Sequence, residues 1–180
     1  MLRDVLKSRQ TKQLPASRRA FRKALVAWFE AEGRDYPWRR TTDPYGVLVS
    51  EVMLQQTQIS TVLGKGYYRR FLEAFPNVQK LAEADDESLL KAWEGLGYYR
   101  RARMLRETAR AVMERDDQSF PSTIGDLLEL PGIGRYTAGA LRAFAFEQAA
   151  VLVDGNVARV LSRLMDYSKE VDAGEGQKQI

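Results

Sequence analysis

A chain of 180 residues with 44% hydrophobic and 29% charged side chains has the length for one domain, or for one domain and part of a second, with a real core and a polar cover. It contains no cysteine and no histidine, which excludes disulfides and cysteine-held metal and removes the commonest general base. No apolar run approaches the length of a membrane span, and the net charge of +4 permits a polyanionic partner.

Residues 1–16 carry Arg3, Lys7, Arg9 and Lys12 without a signal-type apolar stretch, and read as a basic flexible arm of an intracellular protein. Phe21, Ala24, Leu25, Trp28 and Phe29 recur at helical spacing, predicting a helix within 17–34 that ends near Gly33. A loop with Pro37, Trp38 and Pro44 leads to a strongly apolar helix over about 46–63, which Gly64 and Gly66 break before a helix ending near Pro76. Asn77 and Asp85 are placed to cap two further helices, the second carrying Leu89, Leu90 and Trp93. Gly95 and Gly97 precede an arginine-rich helix over about 99–115, in which Arg106 and Arg110 fit a solvated face. Ser122 is placed to cap a helix that turns Leu127, Leu128 and Leu130 inward, and a second helix runs from Arg135 to about Phe146. Val151–Val153 is too short for a sheet, and a last helix starts near Gly155. The expected fold class is all-α, built from many short helices joined by tight turns.

The segment Leu130-Pro131-Gly132-Ile133-Gly134-Arg135 reads as a tight turn that opens a helix. Gly132 and Gly134 can adopt φ > 0 and lack a Cβ, so the backbone can approach a ligand closely. The unpaired N–H groups and positive dipole end of the following helix attract an anion, and the surrounding basic residues favour phosphate. Those residues are all arginine, since no lysine stands between Lys91 and Lys169. An ordinary corner between two helices is the alternative reading.

Two acids have opposite settings. Glu51 has Val47, Leu48, Leu54 and Gln55 at helical spacing, an apolar face that raises a carboxyl pKa and suits a general acid. A rim glutamate reaching water would give the same pattern. Asp154 stands just before a helix start, where backbone N–H groups favour a charged carboxylate, although a plain N-cap also uses aspartate there. One acid to protonate a leaving group and one carboxylate to stabilise a sugar cation are what glycosidic bond cleavage needs. Gln55-Gln56-Thr57-Gln58 suits a site where a base is extruded and its gap refilled, or a helix end emerging into water. Trp93-Glu94-Gly95-Leu96-Gly97-Tyr98-Tyr99-Arg100-Arg101 suits a loop wedging into stacked bases while arginines hold phosphates, or packing aromatics.

Taken in order, Tyr36-Pro37-Trp38-Arg39, Asp43-Pro44-Tyr45, Ser50 to Gln58, Trp93 to Tyr99, Leu130 to Gly139 and Asp154-Gly155-Asn156-Val157 closely resemble the catalytic core of the adenine DNA glycosylases of the MutY type, within the helix-hairpin-helix base-excision superfamily. The resemblance covers about residues 17–166. It implies a six-helix barrel over 35–153, with its hairpin at 130–135, beside a second helical domain built from both chain ends. The helix within 17–34 would pack on that second domain, which starts at 154–180 and is incomplete. It implies Glu51, Asp154, Tyr136 and Asn156 as catalytic residues, with Glu51 protonating N7 of an extruded adenine and Asp154 stabilising the sugar cation. Trp38, Arg39 and Leu54 would border the base pocket. Gln56 and Tyr98 would enter the duplex, with Thr57, Leu130, Gly132, Gly134 and Arg135 also binding DNA. The implied partner is duplex DNA with adenine opposite 8-oxoguanine or guanine, met by a monomer in the cytoplasm or nucleoid. The family normally holds a [4Fe-4S] cluster with four cysteines, and this chain has none. It also lacks the domain that recognises 8-oxoguanine, so it is expected to be the N-terminal part of a longer enzyme and a poor catalyst by itself. A bifunctional glycosylase/lyase similar to endonuclease III would need a lysine where Tyr136 stands. A non-catalytic DNA-binding fragment is the remaining alternative.

Overall fold

The computed structural model describes residues 18–166, so the expectations for 1–16 and for 167–180 lie outside the described residues. Two compact units divide the chain, one spanning Tyr36–Ala158 and the other formed by the flanking segments up to Asp35 and from Arg159. Among the described residues every regular element is helical.

The flanking unit contains α1 (Arg18–Glu32), which buries none of its residues. Leu25, Val26, Trp28 and Phe29 stand about half exposed along it. The helix stops at Gly33, whose N–H donates to the Phe29 carbonyl at 2.7 Å.

In the larger unit, Asp43 caps α2 (Pro44–Leu54) by accepting from the N–H groups of Tyr45 at 3.1 Å and Gly46 at 3.3 Å, with Pro44 at the position where a missing N–H costs nothing. Nearly every side chain of α2 from Tyr45 to Met53 is buried, as befits a helix that is apolar all round. Around it pack α3 (Ile59–Gly64), α4 (Tyr67–Ala74), α7 (Arg100–Met113) and α9 (Arg135–Ala140). The smaller α5 (Val78–Ala82), α6 (Asp86–Ala92) and α8 (Ile124–Glu129) complete the unit. Trp93 and Phe71 are fully buried and meet edge to face, ring centroids 5.5 Å apart. Each large side chain so buried contributes about 1.5–3 kcal/mol. Asn77 and Asp85 cap α5 and α6 as expected, accepting from the N–H groups of Lys80 and Ser88.

The structure departs from the sequence reading at several points. The helix expected over 46–63 is two helices, because the chain turns at Gln55–Gln58, with Gln56 at φ 57°. The cap of α8 is Thr123 and not Ser122: its hydroxyl accepts from the Asp126 N–H at 3.2 Å. Leu128 faces solvent, while Leu127 and Leu130 are buried. Arg106 is only 8% exposed and donates to the Ala84 carbonyl at 3.1 Å, beside Arg110, which donates to that of Ala82 at 3.1 Å. These guanidiniums satisfy carbonyls at and just beyond the end of α5, where the helix has no partners of its own. The helix after the hairpin reaches Phe146 by widening into a π-helical stretch, Leu141–Ala145. The last helix, α10, spans Gly155–Leu164. The division between units falls inside α10, after Ala158.

Candidate active site

Glu51 lies on α2 between two buried residues, Ser50 and Val52. Burial holds its carboxyl above the ordinary carboxylate range, and the charge of Asp154 adds to the shift. A hydrogen bond from the Tyr136 hydroxyl acts in the opposite direction and does not overcome it. Tyr136 is the second residue of α9. Its hydroxyl is pushed up to about 12 by burial and by the two neighbouring acids, so it remains a donor throughout the physiological range.

Asp154 ends the extended segment after the π-helical stretch and caps α10. Its Oδ1 accepts from the Val157 N–H at 2.7 Å and its Oδ2 from Asn156 Nδ2 at 3.1 Å. The cap and the acid cluster are therefore one arrangement: the bonds that start α10 also orient the carboxylate. Gly139 brings that segment close to α9, since a Cβ there would stand 2.7 Å from the Val151 carbonyl oxygen. The sequence reading did not single out Gly139, whose only signal was a glycine inside an otherwise good helix.

Glu51, Tyr136, Asp154 and Asn156 are thus brought together. The aromatic turn Pro37–Arg39 forms a separate group, in which Trp38 is buried, stacks on Tyr36 at 5.3 Å and meets Tyr68 edge-on at 5.4 Å. The exposed Arg39 lies over the Tyr36 ring at 4.9 Å, and Leu54 is half-buried at the end of α2.

A groove of about 580 Å³ is lined in part by Val52, Gln55, Gln56, Tyr98, Arg101 and Gly132. It does not include Glu51, Tyr136 or Asp154, but Gln55 lies one helical turn beyond Glu51 along the chain. Gln56 at φ 57° and Tyr98 at φ 47° hold backbone conformations that such residues rarely adopt. Tyr98 is 64% exposed. Gly132 has φ 79°, and a Cβ there would meet Met104 Cγ at 2.2 Å. Gly134 differs from the expectation: its φ of −91° and ψ of 176° are open to any residue, and nothing lies within 4 Å of a Cβ built on it. Arg135 is exposed beside it, whereas the Leu130 side chain is 6% exposed and packs into the core beneath the hairpin. Arg101, expected to face phosphates, turns inward instead, and Thr57 supplies one of its acceptors at 3.2 Å.

The cluster that the family resemblance implies needs cysteine thiolates, and this chain has none among its 180 residues. Among the described residues no three His, Cys, Asp or Glu side chains gather as a metal site. These residues do not fit an iron–sulfur cluster. Among the described residues no helix is long and apolar enough to cross a membrane.

Residues 49–179 match the profile described as HhH-GPD superfamily base excision DNA repair protein. The chain is similar to the adenine DNA glycosylase of Homo sapiens, at 49% identity over 154 residues, covering 81% of this chain and 28% of that protein. The chain thus spans under a third of that relative's length. Among solved structures, a thermostable thymine-DNA glycosylase superposes with a TM-score of 0.74 at 30% identity, over 80% of this chain and 66% of the other. A non-covalent endonuclease III–DNA complex shares the fold, with a TM-score of 0.70 at 22% identity over 88% and 73% of the two chains.

Proposed function

The chain belongs to the HhH-GPD superfamily of base excision DNA repair proteins, and from that premise we propose that it carries the catalytic residues of a monofunctional glycosylase that removes adenine from mismatched duplex DNA. The observation that carries the reading is the cluster of Glu51, Tyr136 and Asp154, one carboxyl whose pKa burial raises beside another fixed by a helix cap. Glu51 donates its proton to N7 of the extruded adenine, making the base a neutral leaving group. As the glycosidic bond stretches, the Asp154 carboxylate faces the developing oxocarbenium ion, and its bonds to Val157 and Asn156 keep it in place without reorganisation. The Tyr136 hydroxyl orients Glu51 by its hydrogen bond. Water then completes the hydrolysis and leaves an abasic site.

Gln56 and Tyr98 fill the gap left by the base, and the hairpin backbone at Gly132–Arg135 binds the phosphate path beside them. Adenine opposite 8-oxoguanine or guanine is the substrate the similarity to adenine DNA glycosylases favours, with the protein acting as an intracellular monomer. The lyase alternative is disfavoured because Tyr136 offers no amine and residues 92–168 contain no lysine.

The test is single-turnover incubation of the protein with duplexes carrying adenine opposite 8-oxoguanine, adenine opposite guanine, and thymine opposite guanine, followed by alkaline cleavage at abasic sites. Adenine release from the first two is expected. Release of thymine would overturn the substrate assignment, and binding without release of either base would favour a non-catalytic DNA-binding role.

A further inference from the structure

Arg101 is absorbed neither by the acid cluster nor by the phosphate path. Its guanidinium spans two loops that are remote in sequence. Nη1 donates to the carbonyls of Val52 and Met53, each at 3.1 Å, to the carbonyl of Gln55, and to the Thr57 hydroxyl at 3.2 Å. Nη2 donates to the carbonyls of Leu96 at 3.1 Å and Gly97 at 3.3 Å. Its face covers the Trp93 ring at 5.5 Å and the Tyr98 ring at 5.4 Å. Trp93 adds a second tie, its indole N–H donating to the Gly97 carbonyl at 3.1 Å.

The acceptors on one side include the last carbonyls of α2, which have no partner within the helix and form the negative end of its dipole. Those on the other side belong to the loop that presents Tyr98. Between them the guanidinium holds the two segments whose Gln56 and Tyr98 adopt left-handed backbone conformations on the same groove. Only a planar fork with several fixed N–H directions can serve both segments at once, which an ammonium cannot do. We propose that Arg101 is a positioning residue that locks the Gln55–Thr57 and Leu96–Tyr98 segments together, setting both base-gap residues in their working geometry before DNA arrives.

The functional half of this inference rests on the reading of Gln56 and Tyr98 as residues that enter the duplex. The locking half does not. Strained conformations of this kind persist only where the surroundings enforce them, and a wedge already set in place spends no binding energy on ordering itself.

The experiment compares the wild-type protein with Arg101→Lys, which keeps the charge but loses the fork. Hydrogen exchange of the DNA-free protein reads the lock. Peptides covering 54–58 and 95–99 should exchange faster together, while the remaining helices keep their protection and the melt stays cooperative. The second readout is 2-aminopurine placed beside the mismatched adenine at saturating protein. The rise in its emission on binding should shrink, and base release should slow by about a hundredfold, the order expected when a working group is displaced by about 1 Å.

Unchanged exchange in either segment would overturn the lock. Faster exchange with a full emission rise would overturn its role in extrusion. Absence of any emission rise with the wild-type protein would count against the extrusion reading itself, leaving the exchange result to judge the lock. Should Arg101→Lys fail to melt cooperatively, Thr57→Val, which removes a single acceptor, carries the same comparison with smaller shifts expected in both segments.

Discussion

Replacing Glu51 by glutamine removes one titrating proton and almost nothing else. The two side chains have nearly the same volume, and an amide oxygen can still accept from the Tyr136 hydroxyl, so the packing of α2 against α9 should survive. What is lost is general acid catalysis, typically worth about 100- to 10,000-fold. At 1.36 kcal/mol per decade that is about 2.7–5.4 kcal/mol of barrier. The upper part of the range is expected here, because the site is partly buried and free water cannot readily stand in as donor. The assay is single-turnover adenine release, with binding measured in parallel on a duplex whose adenine cannot be released. Binding should stay within a few-fold while release falls.

The pH dependence supplies an independent check. The Glu51 carboxyl is raised above its ordinary value of 4.5 by burial, with Asp154 adding to the shift. A carboxyl that holds its proton more tightly when folded contributes fully to stability below its unfolded pKa, and that contribution is lost as pH rises through the folded pKa. Glutamine carries no such loss. The melting temperature of Glu51→Gln minus that of wild type should therefore grow as pH rises from the ordinary value of 4.5 through the raised folded pKa. Over the same interval wild-type release should decline as the acid loses its proton. Release by the variant within tenfold of wild type, or a melting difference flat with pH, would refute the assignment of Glu51 as a buried acid.

Borohydride added during turnover should trap almost no covalent protein–DNA adduct, since Tyr136 cannot form a Schiff base; efficient trapping, with strand scission before alkali, would point to a lyase. The two hairpin glycines should behave differently. Gly132→Ala forces a Cβ toward Met104 at φ 79° and should destabilise the fold by about 1–3 kcal/mol, read by chemical denaturation. Gly134→Asp places a favoured capping residue at an N-cap with open space around it, so stability should hold or rise. Its charge would face the phosphate, so DNA affinity should drop alike for matched and mismatched duplexes. A folded Gly134→Asp protein with unchanged affinity would show that the hairpin is a packing corner.

Much of this molecule was legible in the chain itself. The caps at Asn77 and Asp85, the stop at Gly33, the glycine turn at Gly132 and the last helix from Gly155 are local features, set by φ/ψ preferences and by side chains reaching N–H groups two or three residues away. The raised carboxyl of Glu51 was legible for a related reason, since an apolar helix face predicts desolvation.

What the tertiary structure decided was where long side chains point and where apolar runs break. The run from 46 to 63 has no breaker until Gly64, yet it parts at Gln55–Gln58, where Arg101 takes carbonyls that a continued helix would have used. The same holds for Arg106, which reads as solvated and is instead buried on the Ala84 carbonyl, while Arg110 stays exposed as read and reaches the Ala82 carbonyl from there. Arginine is long enough to satisfy either a phosphate or a distant carbonyl, and nothing within a few residues of it tells which. The juxtaposition of Asp154 with Glu51 across about a hundred residues has the same character. It depends on the close approach that Gly139 permits between α9 and the segment ending at Asp154, a packing relation that no local pattern encodes.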